Sequence, residues 1–189
     1  MLNGYSAATP QHLLLDAGKL YDGFTSLSNL GTAVGITRGG CTFNYTPEVK
    51  NIGFDGAPGP VKGMKRIVAT DATLEINVME FTKDNILRSA VGLVSKDYPT
   101  SPDTKTHDLI KGSHTIAGSE YKNVALVAEI SGKDATAVIV IKNALSNSAL
   151  SVSCTEKEEG VMTITLQGHY DSTDLGTPPF ELYLPIDVA

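Results

Sequence analysis

Apolar residues alternate with polar ones along most of this chain, with the two-residue period of a strand that buries one face. In residues 65–78, Leu74, Ile76 and Val78 interleave with Thr73, Glu75 and Asn77. Asn123–Ile130 places Val124, Leu126, Ala128 and Ile130 at every second position. It runs through Ser131-Gly132-Lys133-Asp134, a hairpin turn signal, into Thr136–Lys142. Leu150, Val152 and Cys154 alternate with Ser151 and Ser153, and Met162, Ile164 and Leu166 with Thr163, Thr165 and Gln167. Phe180–Leu184, after Pro178-Pro179, predicts a short closing strand. Thr42–Val49 alternates through Phe43 and Tyr45 as far as Pro47. Proline cannot donate to a ladder, so this stretch belongs at a sheet edge or a bulge.

The period changes once. In Glu80–Val91 the apolar residues Phe81, Ile86, Leu87, Ala90 and Val91 share one helical face. Thr82 or Asp84 can cap its start, Phe81 can form half of a hydrophobic staple, and Gly92 can stop it. Asn143–Asn147 predicts a single helical turn. Residues 1–30 are polar with apolar islands at Leu13–Leu15 and Leu20–Tyr21, and read as an N-terminal arm holding one strand. Residues 95–119 are polar and carry two prolines; they read as a long loop, with a short strand at Leu109–Ile110 or Ile116. The pattern as a whole predicts a mainly β protein, a sandwich or open barrel with one flanking α-helix, formed by residues 31–189 as a single domain.

Composition supports that picture and narrows the function. At 189 residues the chain suffices for one domain that buries about 70% of its unfolded surface. A content of 41% hydrophobic and 19% charged residues is globular, not disordered. The formal charge of −6 repels phosphate, so binding of nucleic acid through the net field is excluded. Lys62, Lys65 and Arg66 form the densest basic cluster and read as a solvated turn. Cys41 and Cys154 read as small buried hydrophobes rather than a redox or metal pair. The first residues lack the basic region of a signal peptide, and apolar runs such as Ala137–Ile141 are far too short to span a bilayer. A soluble protein made in a cytoplasm is the expectation.

One stretch invites a chemical reading: residues 54–63, FDGAPGPVKG. A nucleotide loop counted from Gly56 requires glycine where Val61 stands, and Ser or Thr after Lys62, where Gly63 stands. A phosphate nest is also built of backbone N–H groups, and Pro58 and Pro60 remove two of them. His169-Tyr170-Asp171 with Asp174 reads as a polar strand end and an Asp-rich turn. His107 and His114, with Asp103 and Asp108, match no zinc spacing. Ser119-Glu120 has neither a nucleophile elbow nor a paired histidine. No catalytic, metal or cofactor site is predicted. What remains is shape. Residues 38–66 hold two strand-like arms around a tip stiffened by proline. Phe54, Val61 and Met64 give that tip apolar contact area. It is either a preorganised projection or an ordinary surface hairpin.

The order of these segments carries a resemblance. RGGCTFNYTPEVKNIGFDGAPGPVKGMKRI resembles the glycine-rich hairpin of the major tail (tail tube) proteins of long-tailed phages and prophages. DATLEINVMEFTKDNI is similar to the strand-into-helix segment that follows it in that family, and VIVIKNALSNSALSVSCTEKEEGVMTITLQGHYDSTDLGTPPFELYLP to its closing strands. The similarity spans roughly residues 28–186 and is most specific in the RGG and DGAPGPVKG elements. It implies a β-sandwich-like subunit of a phage tail, assembled in the host cytoplasm and resident in the virion. Such subunits form homohexameric rings stacked into a hollow tube, with no catalytic residue and no cofactor. Implied partners are other copies of the chain and the tape measure, distal tail initiator and terminator proteins; double-stranded DNA passes through without specific binding. Four strands from each of six subunits, ~4.8 Å apart and tilted ~40°, would close a barrel ~48 Å across with a lumen of roughly 40 Å. Six copies at −6 give −36 per ring, and acidic groups facing the bore would keep DNA sliding. The resemblance assigns the subunit interface to Arg38, Gly39, Gly40, Phe54, Asp55, Gly56, Pro58, Gly59, Pro60, Val61, Lys62 and Gly63. The N-terminal arm and the 95–119 loop become candidates for bridging rings. Competing readings are a tube or terminator component of a related injection machine and, from another class, a receptor- or carbohydrate-binding β-sandwich module. The latter would want clustered aromatics, and five Phe and seven Tyr are scattered here.

Overall fold

Each alternating segment has one face to bury, and strands pair to bury it. The computed structural model describes residues 4, 6, 9–99, 104–131, 135–152 and 156–186. Its strands are β1 (Leu14–Asp22), β2 (Thr32–Ala33), β3 (Thr37–Asn51), β4 (Lys65–Val78), β5 (Leu93–Tyr98), β6 (His107–Gly112), β7 (Lys122–Ile130), β8 (Ala137–Ser146), β9 (Met162–Gln167) and β10 (Phe180–Tyr183). Among the described residues there is one α-helix, α1 (Lys83–Ser89). The strand pairings are antiparallel. The protein is a mainly β sandwich with one flanking helix, as the pattern predicts.

One sheet runs β2-β1-β7-β8 with β10 on the far side of β8; the other runs β8-β9-β4-β3. Strand β8 serves both. Val138–Ile141 lie between β7 and β10, while Leu145 and Ser146 pair with β9. Strands that change sheets need a local break in the ladder. Here it falls at Asn143, with φ of +47°. Its N–H donates to Asn123 Oδ1 at 3.0 Å and its side-chain amide to the His169 carbonyl at 3.3 Å. Asn143–Asn147 is therefore not the helical turn expected. Asparagine tolerates the left-handed conformation and its amide repairs the broken ladder.

Between the sheets lie Leu20, Leu74, Ile76, Ile141, Ile164 and Leu166, all fully buried. These are the alternating positions of β1, β4, β8 and β9. A second cluster, Phe24, Ala125, Val138 and Val140, covers the other face of β7 and β8. With both faces covered, β7 and β8 read as continuous apolar runs.

Several expectations are corrected. Within residues 1–30, β1 lies inside the sheet between β2 and β7, with Leu20 in the core, so residues 14–30 belong to the body and not to an arm. The 95–119 loop is largely a second hairpin, β5–β6, paired from Leu93↔Gly112 to Tyr98↔His107. Glu120 fastens its base by accepting from Gly92 N at 3.0 Å and Ala117 N at 2.8 Å. The helix is shorter than 80–91 and its buried residues are polar, Asn85 and Ser89. Asn85 Nδ2 donates to the Val34 and Glu80 carbonyls, both at 2.9 Å, and the Ser89 carbonyl accepts from Ser146 and Ser148 hydroxyls at 2.7 and 2.8 Å. The helix thus docks on exposed backbone groups, which only polar side chains can satisfy. Thr82 Oγ1 caps it, accepting from Asn85 N at 3.3 Å. Phe81 forms no buried staple; it is 62% exposed. Leu150 and Val152 lie outside any strand and are exposed. Cys154 and the 132–134 turn lie outside the described residues. Cys41 is half-buried against the main core, and burial pushes its thiol pKa up. No helix among the described residues is long and apolar enough to cross a membrane.

Candidate functional site

The β3–β4 hairpin has two halves in different environments. Near its base, Cys41 and Phe43 oppose Ile76 and Leu74 and pack on the core, while β9 pairs with β4 across Thr73–Val78. Beyond Thr73, β4 loses β9. The last ties to the body are the Gly168 N–H to the Ala72 carbonyl at 2.9 Å, the Gln167 side-chain amide to Asp71 at 2.8 Å, a hydroxyl contact between Thr70 and Tyr170, and the Tyr45 ring 4.5 Å from that of Phe180. Past these ties, residues 46–51 and 65–69 are exposed at every position. Five residues at ~3.4 Å each carry this two-stranded ribbon ~17 Å clear of the body before the tip begins.

The ribbon is not built like a solvated one. Val49 opposes Ile67 in the ladder, and they are 51% and 61% exposed. Val68 is the extra residue of a bulge, since Glu48 pairs with Ala69 and Val49 with Ile67. At such a bulge the two-residue alternation breaks, which leaves Val49, Ile67 and Val68 all exposed beside one another on the ribbon. Lys50 lies opposite Arg66, a like-charge pair that opposes closure of the ladder. Pro47 stands in the outermost strand of its sheet, beside this bulge, as its missing N–H requires.

The tip, residues 52–64, is closed by backbone hydrogen bonds. Ile52 N–H donates to the Met64 carbonyl at 2.7 Å, Ala57 N–H to Phe54 at 3.2 Å, and Met64 N–H to Val61 at 3.1 Å. Gly56 and Gly63, each at φ of +87°, make the reversals that residues with a Cβ avoid. Phe54 and Val61 remain 55% and 38% exposed. Asp55, Pro58, Gly59, Pro60 and Lys62 complete this exposed group.

Arg38, Gly39 and Gly40 sit elsewhere. They form a bulge at the base of β3, with Gly39 and Gly40 at φ of +85° and +81°, and Arg38 is 2.8 Å from Glu159, whose carboxyl it holds below the usual range. From base to tip is roughly 40 Å along the strand. The structure therefore brings the residues from Phe54 to Gly63 together and separates them from the Arg38–Gly40 trio. Sequence reasoning missed Val49, Ile67 and Val68. Their signal was an apolar run at 67–69 that breaks the two-residue period of β4 where no second segment is available to cover it.

Charge is unevenly spread. Residues 46–70 hold Lys50, Lys62, Lys65 and Arg66 against Glu48 and Asp55, so the hairpin carries +2 and the remainder of the chain −8. Of the polar groups considered for chemistry, Asp103 lies outside the described residues, and the two carboxylates Asp171 and Asp108 are engaged in local structure. The Asp171 carboxylate accepts from Thr173 N and Oγ1 at 2.8 and 2.7 Å, and Asp108 lies 3.1 Å from Lys105 and 3.4 Å from Lys83. Among the described residues no group of three His, Cys, Asp or Glu side chains could hold a metal ion. No protein-family model matches the chain, and no curated protein matches it either.

Proposed function

We propose that this chain is a tail tube subunit of a long-tailed phage or prophage, assembling with copies of itself into hexameric rings stacked as a hollow conduit for DNA. The observation that carries this reading is the outer half of the β3–β4 hairpin, exposed on both faces while bearing Val49, Ile67, Val68, Phe54 and Val61. A lone two-stranded ribbon is marginal in water, and a like-charge pair across it weakens it further. Covering by a neighbouring subunit supplies what the monomer lacks.

Two further features support the same role. Among the described residues strand β3 ends its sheet, with no strand on the outer edge of Thr37–Asn51. Such an edge is a template for pairing, and ring closure removes it. The hairpin and the body carry opposite charge, which favours contact between unlike parts of two copies. The acidic body is also suited to a bore that repels DNA phosphate. The role places the protein in the virion beside tape measure, initiator and terminator proteins, and asks for no catalytic residue. Deletion of residues 56–61 tests it: the variant should fold as a monomer and fail to polymerise. Tubes indistinguishable from wild type in negative-stain images would overturn the reading.

A further inference from the structure

Two apolar residues that sequence patterning assigns to the interior, Phe81 as a helix staple and Val152 as a strand residue, are instead 62% and 53% exposed. They converge. With Val78, Met79, Val161 and Met162 they line a groove of about 300 Å³. That volume is at the lower end of the ~300–1,000 Å³ range of sites that hold small ligands, and suits one or two inserted side chains. Its rim is acidic. Glu80 and Glu158 border it, and the Glu80 carboxylate is fixed there by the Ile36 N–H at 3.0 Å. On the same loop Glu159 is paired with Arg38 at 2.8 Å and Glu156 with Lys157 at 3.2 Å, which leaves Glu158 and Glu80 as the carboxylates that border the groove.

The hairpin tip is the complement of this groove. It carries exposed Phe54 and Val61, flanking its apex, and the cations Lys62, Lys65 and Arg66 against one carboxylate, Asp55. It is also shaped before contact, by its own backbone hydrogen bonds and by Pro58 and Pro60. A tip cannot reach the groove of its own chain. Val78 and Met162 lie at the base of the hairpin, at the far end of β4 from Lys65, and thirteen steps of ~3.4 Å separate those ends by ~44 Å. Donor and acceptor at opposite ends of one molecule make a head-to-tail contact, which repeats into a closed ring or an open stack.

We infer that the tip of one copy docks in the Phe81–Val152 groove of the next, with Phe54 and Val61 inserted and Lys62 facing Glu158. The inference rests on the self-assembly reading and adds the surface that receives the hairpin. Phe54, Phe81, Val152, Lys62 and Glu158 are all exposed in the subunit, so replacing them leaves the fold intact. The test measures the critical concentration for polymerisation of full-length chains by sedimentation, with a urea melt of each variant. Phe81→Ser and Phe54→Ser should each abolish polymer or raise that concentration at least about tenfold, and Lys62→Glu and Glu158→Lys should do likewise by setting like charges face to face. The Lys62→Glu/Glu158→Lys double variant should return to within about threefold of wild type. Wild-type polymer with Phe54→Ser impaired but Phe81→Ser and Glu158→Lys unaffected overturns the groove and leaves self-assembly standing. Wild-type chains that never polymerise overturn both.

Discussion

Replacing Val49 and Ile67 together by serine separates folding from assembly. The two residues face each other across the ribbon and are 51% and 61% exposed. Fully burying a Val or Ile side chain is worth about 1.5–3 kcal/mol, so the portions still in water represent about 2–3 kcal/mol per copy if a neighbour covers both. Every 1.4 kcal/mol is tenfold, so the double variant should raise the critical concentration for tube formation roughly 30- to 140-fold. The monomer loses only the cross-strand contact, about 0.2–1 kcal/mol. Light scattering across a concentration series gives the first quantity and urea unfolding the second. Leu74→Ala is the control with the opposite signature, because Leu74 is fully buried and its truncation should cost the fold about 2–5 kcal/mol. The reasoning fails if the double variant polymerises within about threefold of wild type, or if its monomer loses more than about 2 kcal/mol.

Two predictions concern the body. Arg88 has a side chain only 10% exposed; its guanidinium donates to the Glu120 carbonyl at 2.8 Å and lies 3.4 Å from Asp22, an ionic contact rather than a hydrogen bond. Burial pushes the Arg88 pKa down and Asp22 opposes that shift. Arg88→Met should cost about 3 kcal/mol in a urea melt, the low end for a broken buried pair because Asp22 keeps Lys122 at 2.9 Å; a loss under about 1 kcal/mol contradicts the clasp. Glu181, on β10, is held below its ordinary value of 4.5 by Lys142 and then by the Tyr183 hydroxyl. A depressed carboxyl stabilises the fold above that value and ceases to do so as pH falls through its lower native pKa. The stability gap between wild type and Glu181→Gln should hold from pH ~7 to ~5 and shrink below ~4; a gap that widens on acidification contradicts the assignment.

Segments with one buried face were legible. The polar partners of Leu74, Ile76, Ile164 and Leu166 mark β4 and β9 because water lies on one side and the core on the other. Pro47 announced an edge strand for a covalent reason. The helix was placed but its inward face was not, since Asn85 and Ser89 are buried for hydrogen bonds to backbone that only the fold brings near. The β5–β6 hairpin hid inside an apparent loop because Lys96, Asp97 and Tyr98 are all exposed and no alternation develops. Leu150 and Val152 mimicked a strand. Both are exposed, and periodicity cannot tell a buried apolar face from an exposed one. The same limit applied at the candidate site: the FDGAPGPVKG tip was visible from its glycines and prolines, whereas the exposure of Val49, Ile67 and Val68 depends on where β9 stops.

Electron cryo-microscopy of the concentrated subunit bears most directly on whether copies of this chain cover one another's ribbons. The account predicts hollow tubes of stacked six-membered rings in which residues 46–69 of every copy are buried against a neighbour. Absence of any hollow assembly, or tubes whose ribbons stand free in solvent, would contradict it.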